Sequence, residues 1–388
     1  MYVATVPALP YADPWQVPLQ GRLQMLANGE HRVAYYAEEP NTSTFRYRVY
    51  NMAQVLNSQP GKRYAASWFF RPDLGSEREI AARADVLVVC RAGYEHRLVH
   101  LMDLFARLGK PVLFDVDDLV FDTRYVHLLI SALGLNKDDP RVWDGWFGLA
   151  ARMGATLTRC DGAITTNEVL AGHLREHSGR PVAVVPNFMN REQLDVSNRL
   201  WAAKEASGFA VDGHPTLGYF SGTPSHQLDY TIAEPAIARL MERHPALRLM
   251  LVGFIAPGPA LGRFSDRVLR LPFTDWVNLQ RAIAAVEVNL MPLQASAFAD
   301  CKSPLKYFEA AAVGTVSVAS PTANHVASIT DGHNGRLARS PEWERQIESV
   351  LEGGPAGAAM ATNARADALS RHSWAQQFPA LRQALGWN

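Results

Sequence analysis

Residues 215–222 read PTLGYFSG, and this stretch decides the fold. An apolar, β-prone run ends in small polar residues. A helix-period segment, TIAEPAIARLMERHP (231–245), comes next. The same grammar already runs through the residues upstream. HRVAYYAEE (31–39) precedes RYRVYNMAQVLN (46–57), and ADVLVVCRA (84–92) precedes YEHRLVHLMDLFARLG (94–109). KPVLFDVDD (110–118), DGAITTN (161–167) and RPVAVVPNF (180–188) continue it, with RVWDGWFGLAARMGATLTRC (141–160) and EVLAGHLREHSG (168–179) between them. Continuous apolar strands alternating with amphipathic helices predict a parallel sheet covered on both faces.

At Pro215 the pattern restarts. LRLMLVGF (247–254), EVNLMPL (287–293) and TVSVASP (315–321) read as strands. TDWVNLQRAIAAV (274–286) and SPLKYFEAAAVG (303–314) read as helices, and SWAQQFPALRQALGW (373–387) as a last one. Two α/β halves with a boundary near Pro186–Glu192 are therefore predicted. A chain of 388 residues is long enough for two cores. Open α/β sheets bind ligands beyond the carboxyl ends of their strands, so the loops after strands carry the functional information.

Composition narrows the class. Hydrophobic residues are 48% and charged residues 20% of the chain, as in a globular protein. Lys+Arg and Asp+Glu balance at 38 each, which argues against general nucleic-acid binding. Cys90, Cys160 and Cys301 are far apart, with no CxxC or Cys/His cluster to indicate zinc or a disulfide framework. No signal-peptide pattern opens the chain and no run of about 18 apolar residues occurs. A cytoplasmic protein is expected, with peripheral attachment at the inner membrane face left open.

The densest candidate is DCKSPLKYFEAAAVG (300–314). Read as one helix, it places Lys302, Lys306 and Glu309 at i, i+4, i+7, along one face. A helix N-terminus with two lysines suits a diphosphate. Glu309 suits two adjacent ribose hydroxyls, and Ser303 and Asp300 stand beside the same turn. The plain alternative is a solvated amphipathic helix. Gly222, Thr223 and Ser225, in GYFSGTPSHQLDY (218–230), form a small turn that lets backbone approach a phosphate, or a generic strand-to-helix turn.

In the first half, LFDVDDLVFD (113–122) ends a strand with Asp115, Asp117 and Asp118. These residues read as carboxylates lining a cleft, as a metal site, or as strand-end caps. Arg46 and Arg48, in EEPNTSTFRYRVYN (38–51), read as braces for a diphosphate or an anionic acceptor, or as surface arginines. Arg91, Tyr94 and His96 follow another strand. Asn167 and Asp275 read as helix N-caps.

Taken in order, these segments resemble retaining glycosyltransferases of the GT-B fold, in the large group called family 4. SGTPSHQLDY (221–230) resembles the donor-side glycine loop of that group, and LRLMLVGF and VEVNLMPL resemble its second-domain strands. KYFEAAAVGTVSVAS (306–320) resembles its glutamate–alanine motif, and VVPNFMN (184–190) its interdomain segment. RHSW (371–374) and the helix after it resemble its terminal crossing helix. The resemblance implies two Rossmann-like domains facing across a cleft: an acceptor-binding domain at 1–187, a nucleotide-sugar domain at 188–365 and a crossing helix at 366–388. It implies Glu309 on the ribose, and Lys302 and Lys306 on the diphosphate as a front-face transfer proceeds, with no cofactor or metal beyond the donor. Asp118 is placed at the reacting centre. The family's first motif glutamate falls on Cys301 here, which cannot hold donor-sugar hydroxyls as a carboxylate does. A glycan or lipid-linked acceptor in bacterial surface-polysaccharide synthesis is expected, with no nucleic-acid partner. A sugar-nucleotide epimerase and a non-catalytic binding partner are the rivals. A dehydrogenase lacks its GxGxxG turn in both halves.

Overall fold

The computed structural model describes residues 1–27, 29–41, 43–223 and 226–387. Strands β1 (His31–Ala37), β2 (Tyr64–Phe69), β3 (Val86–Cys90), β4 (Val112–Val116), β5 (Gly162–Thr165) and β6 (Val182–Val184) form one sheet, in the order β2-β1-β3-β4-β5-β6. Strands β7 (Thr216–Ser221), β8 (Arg248–Gly253), β9 (Val268–Leu271), β10 (Val288–Met291), β11 (Val316–Ala319) and β12 (Arg336–Leu337) form a second, in the order β12-β11-β10-β7-β8-β9. Every pairing is parallel. This is the two-sheet α/β architecture expected from the restart at Pro215.

The central strands are buried on both faces: β3 and β7 have no exposed position. That explains their unbroken apolar sequence. The reading passed over β2, β9 and β12, and over helices Leu19–Leu26 and Glu77–Arg83. β2 carries Ala65 and Ala66 where β-branched residues signal a strand, and β9 is a partly exposed edge carrying Arg270. β12 has two residues, too few for any period.

The segment expected as one helix from Arg46 opens with a π-helical turn, Arg46–Tyr50, and continues as an α-helix, Asn51–Asn57. The wider turn buries Arg46, Tyr47 and Arg48 together. Such turns recur at functional sites.

The halves are laced together at both ends of the chain. The first residues lie on the second half rather than within the first: Tyr2 N–H donates to Ala285 O at 3.0 Å, and Leu9 exchanges two 3.0 Å bonds with the Asn278 side chain. The boundary set at residue 187 missed this, because an irregular segment has no period to place it. Helix Phe378–Ala384 returns to the first half, where Phe378 packs against Tyr64 with ring centroids 5.0 Å apart. One apolar cluster accordingly runs from Val33 and Val88 through Phe220 and Trp276 to Leu381. Beside it Lys204, 1% exposed, donates to Gly314 O and Thr315 Oγ1 and lies over the Tyr2 ring. Burial pushes its amine down to about 7, with Glu287 opposing.

Candidate active site

The ends of β1, β3 and β4 face loops after β7, β10 and β11 across a cleft of about 520 Å³. Both halves line it, as expected for paired open sheets.

On the second-half wall, a short helix (Ala297–Asp300) is capped by Ser296, whose Oγ accepts from Ala299 N–H. Residues 301–304 turn, and a new helix (Leu305–Ala312) begins after Pro304. Lys302 therefore stands just before the helix that carries Lys306, as a helix over 303–314 allows, so the two lysines do not share one helical face. Proline confines the residue before it to extended backbone and so breaks the run. The turn still sends Lys302, Ser303 and Lys306 into the cleft. Lys302 Nζ sits 4.6 Å from the Phe298 ring centroid and Lys306 Nζ 4.5 Å from that of Tyr219. Burial pushes Lys306 down to about 8, with Lys302 adding and Asp229 and Glu309 opposing.

Thr223 lines the cleft, and its carbonyl accepts from Ser221 Oγ at 2.7 Å. Gly222 is absent from the lining and has open space where a Cβ would stand. Ser225 lies outside the described residues. The glycine required beside this turn is Gly253 at the end of β8, at φ +88°, whose missing Cβ lets the Ser221 carbonyl approach. His226 also lines the cleft. Its Nδ1 is 3.1 Å from Asp229 Oδ2, while Asp229 Oδ1 accepts from Gln294 N–H at 3.0 Å. Burial and then Lys306 push the imidazole down to about 4, against the pull of Asp229. His325, bonded through Nδ1 to Ser320 O, is pushed by burial to about 4 as well. In both rings burial favours the neutral form.

On the first-half wall, Arg91 Nη1 donates to Asp117 Oδ1 (3.0 Å), Asp118 Oδ2 (3.1 Å) and Thr44 Oγ1 (3.0 Å). Arg91 holds a left-handed backbone, φ 45°, which is costly for a side-chain residue and typical of functional turns. Burial works against the charge on Asp118, but Lys302 across the cleft and Arg91 beside it hold its carboxyl below the usual range. Asp115 is not part of this group. It is 1% exposed and pairs with Arg48 instead, so the three aspartates do not converge. Among the described residues no group of three or more His, Cys, Asp or Glu is placed to hold a metal.

Arg48 is the plainest departure from the sequence reading. It is 0% exposed and donates to both Asp115 oxygens (2.7 and 3.0 Å), to Val185 O (2.7 Å) and to Asn187 Oδ1 (3.1 Å). Burial pulls its pKa down, yet Asp115 more than offsets this and keeps it charged. With its donors committed inside the first half, it does not reach a diphosphate. Arg46 is also off the cleft lining. It donates to Gln193 Oε1 and Glu309 Oε1 and lies over the Tyr47 and Trp276 rings.

Glu309 stands one layer behind Tyr47, which lines the cleft. Its Oε1 accepts from Tyr47 Oη (2.5 Å), Gln193 Nε2 (2.9 Å) and Arg46 (3.5 Å). The Glu309 side chain keeps 9% exposure. Asp300 is spent on the next loop, its Oδ1 accepting from Ala323 N–H at 2.8 Å. Cys301 is fully buried, and its carbonyl accepts from Asn167 Nδ2 at 2.8 Å. Asn167 also caps its own helix through Leu170 N–H, as expected, and Asp275 caps at Val277 and Asn278. Arg91 lines the cleft, whereas Tyr94 and His96 do not. The sequence reading did not single out Tyr47, His226, Asp229, His325 and Trp146. The i, i+3 spacing of His226 and Asp229 was the one local signal available.

Two six-stranded parallel sheets facing across such a cleft make the fold called GT-B. The comparisons agree. Anabaena HepE in complex with UDP-glucose is 15% identical with TM-score 0.62, covering 92% of this chain and 99% of its own. Sucrose-phosphate synthase of Thermosynechococcus elongatus is 14% identical with TM-score 0.56, covering 92% and 97%. WaaG, a glycosyltransferase involved in lipopolysaccharide biosynthesis, is 13% identical with TM-score 0.57, covering 91% and 100%. No curated protein matches the chain in sequence. Residues 214–352 match the family model described as Glycosyl transferases group 1. The chain thus has the GT-B fold, and its second half matches the group 1 glycosyltransferase model.

Proposed function

We propose that the protein moves a sugar from a nucleoside-diphosphate sugar to a glycan or lipid-linked acceptor, with retention of configuration. The observation that carries this is the placement of Lys302 and Lys306 on one wall of the cleft, opposite the Arg91–Asp117–Asp118 cluster. Two partly desolvated ammonium groups suit a diphosphate and stabilise the charge that develops as it leaves. Glu309 Oε2, held one layer behind Tyr47, is the acceptor this reading sets on the ribose. The acceptor hydroxyl attacks the anomeric carbon from the face the phosphate leaves. The carbon–oxygen bond to the phosphate breaks, and the departing oxygen takes the hydroxyl proton. This course requires no enzyme nucleophile, and the lysines supply the positive charge a divalent metal gives elsewhere.

The acceptor lies against the first half, where Leu129, Leu133 and Trp146 give the cleft an apolar flank beside Asp118. Surface-polysaccharide synthesis in bacteria fits such an acceptor. No helix among the described residues is long and apolar enough to cross a membrane, so a lipid-linked acceptor is met by peripheral association at the inner face.

The test is a thermal-shift panel of UDP, GDP, dTDP, CMP and NAD, followed by turnover with the matching sugar donor. A ligand at about 100 times its dissociation constant adds about 2.7 kcal/mol to folding stability. A shift with one diphosphate, acceptor-dependent release of that diphosphate and a product whose anomeric proton coupling matches the donor support the proposal. A shift with NAD alone refutes it. Donor consumption without acceptor or released diphosphate favours the epimerase.

A further inference from the structure

The lysines account for a diphosphate, but a sugar attached to it also presents hydroxyl groups. Cys301 offers them nothing, because it is fully buried and absent from the cleft lining. Asp117 and Asp118 are engaged by Arg91 on the far wall. His226 stands on the same wall as Lys302 and Lys306, and its side chain keeps 16% exposure against 3% for the whole His325 residue. Its ring is fixed from behind. A carboxylate needs a donor, so Nδ1 carries the proton toward Asp229, and the Gln294 N–H holds Asp229 in turn. The Tyr219 hydroxyl donates to the His226 carbonyl at 3.2 Å and pins the backbone.

That arrangement leaves Nε2 as a lone-pair acceptor on the wall that carries the two ammonium groups. A phosphate oxygen has no proton to give it, whereas a hydroxyl does. Resting on the donor reading above, we infer that the Asp229–His226 pair is the sugar-recognition device of this site: Nε2 accepts a hydrogen bond from a hydroxyl of the donor sugar. The pair selects donors by the position of that hydroxyl and contributes nothing to holding the nucleoside diphosphate.

The experiment compares the full chain with its His226→Ala and Asp229→Asn variants by calorimetry. The probes are UDP against UDP-glucose and GDP against GDP-mannose, using the pair that binds the wild type. His226→Ala is expected to bind the diphosphate within about twofold of wild type, which also shows that it folds, whereas Asp229→Asn, which also removes a charge that supports Lys306, is scored by its sugar-nucleotide affinity relative to its own diphosphate affinity. On that basis both are expected to bind the sugar nucleotide about tenfold more weakly, the scale of one polarised hydrogen bond. A donor lacking the contacted hydroxyl should lose the same factor with wild type and nothing further with His226→Ala. Equal weakening of diphosphate and sugar nucleotide, or weakening of neither, overturns the inference. Failure of the wild type to bind any diphosphate overturns the donor reading itself.

Discussion

Lys306 makes the strongest numerical commitment. It is pressed on Tyr219, near Lys302, with a pKa brought down to about 8. Lys306→Met keeps the chain length and the packing on the ring but removes the charge. A hydrogen bond to a charged group is worth about 1.5–3 kcal/mol, so the nucleoside diphosphate should bind about 10- to 150-fold more weakly at neutral pH. The pH dependence is the sharper signature. A bound diphosphate favours the ammonium form, so above the free lysine's pKa binding must take up a proton. About nine in ten free sites are charged one unit below that pKa and about one in ten one unit above it. Wild-type affinity should therefore fall about tenfold between roughly pH 7 and 9, and the Lys306→Met affinity should stay flat. Calorimetry in two buffers of different ionisation enthalpy reads the proton uptake directly. A variant that binds as tightly as wild type, or keeps the wild-type slope, refutes the placement of Lys306 on the phosphates.

Arg48→Met strands Asp115 without its partner and should cost about 3–5 kcal/mol in urea unfolding, while diphosphate affinity of the folded fraction stays unchanged. Loss of affinity without loss of stability would restore Arg48 to the site. Glu309→Ala should weaken diphosphate binding by about 1–3 kcal/mol and also lower the melting temperature, because Tyr47 and Gln193 lose their acceptor. Unchanged affinity by calorimetry would confine Glu309 to bracing the halves. Lys204 binds its proton less tightly folded, at about 7, than unfolded, near 10.4. The unfolded state therefore holds more protons across that window, and stability should rise as pH rises through it. Lys204→Met should flatten that rise in denaturation curves, and an unchanged rise would remove Lys204 as its source.

Local sequence carried the strands because a buried parallel strand is written in consecutive residues, as in β3 and β7. It did not carry what depends on partners far along the chain. Arg46 and Arg48 look alike in sequence, yet the π-helical turn sends one to Glu309 and the other to Asp115. Lys302 and Lys306 were legible as a pair, although the break at Pro304 changes how they reach the cleft. The link between Lys302 and Asp118 joins residues on opposite walls, and no short-range period announces it. His226 was overlooked because a single histidine in a loop gains meaning only from Asp229 and Gln294 behind it.

The lacing at the two ends of the chain bears on how the molecule can be divided. Cutting between the sheets would strip Leu381 and Phe378 from the first and the segment at Tyr2–Leu9 from the second. Each fragment would expose part of one shared apolar cluster. Neither half is then a portable module, and an exchange of second halves between chains of this fold would have to carry both crossing segments with their complementary surfaces.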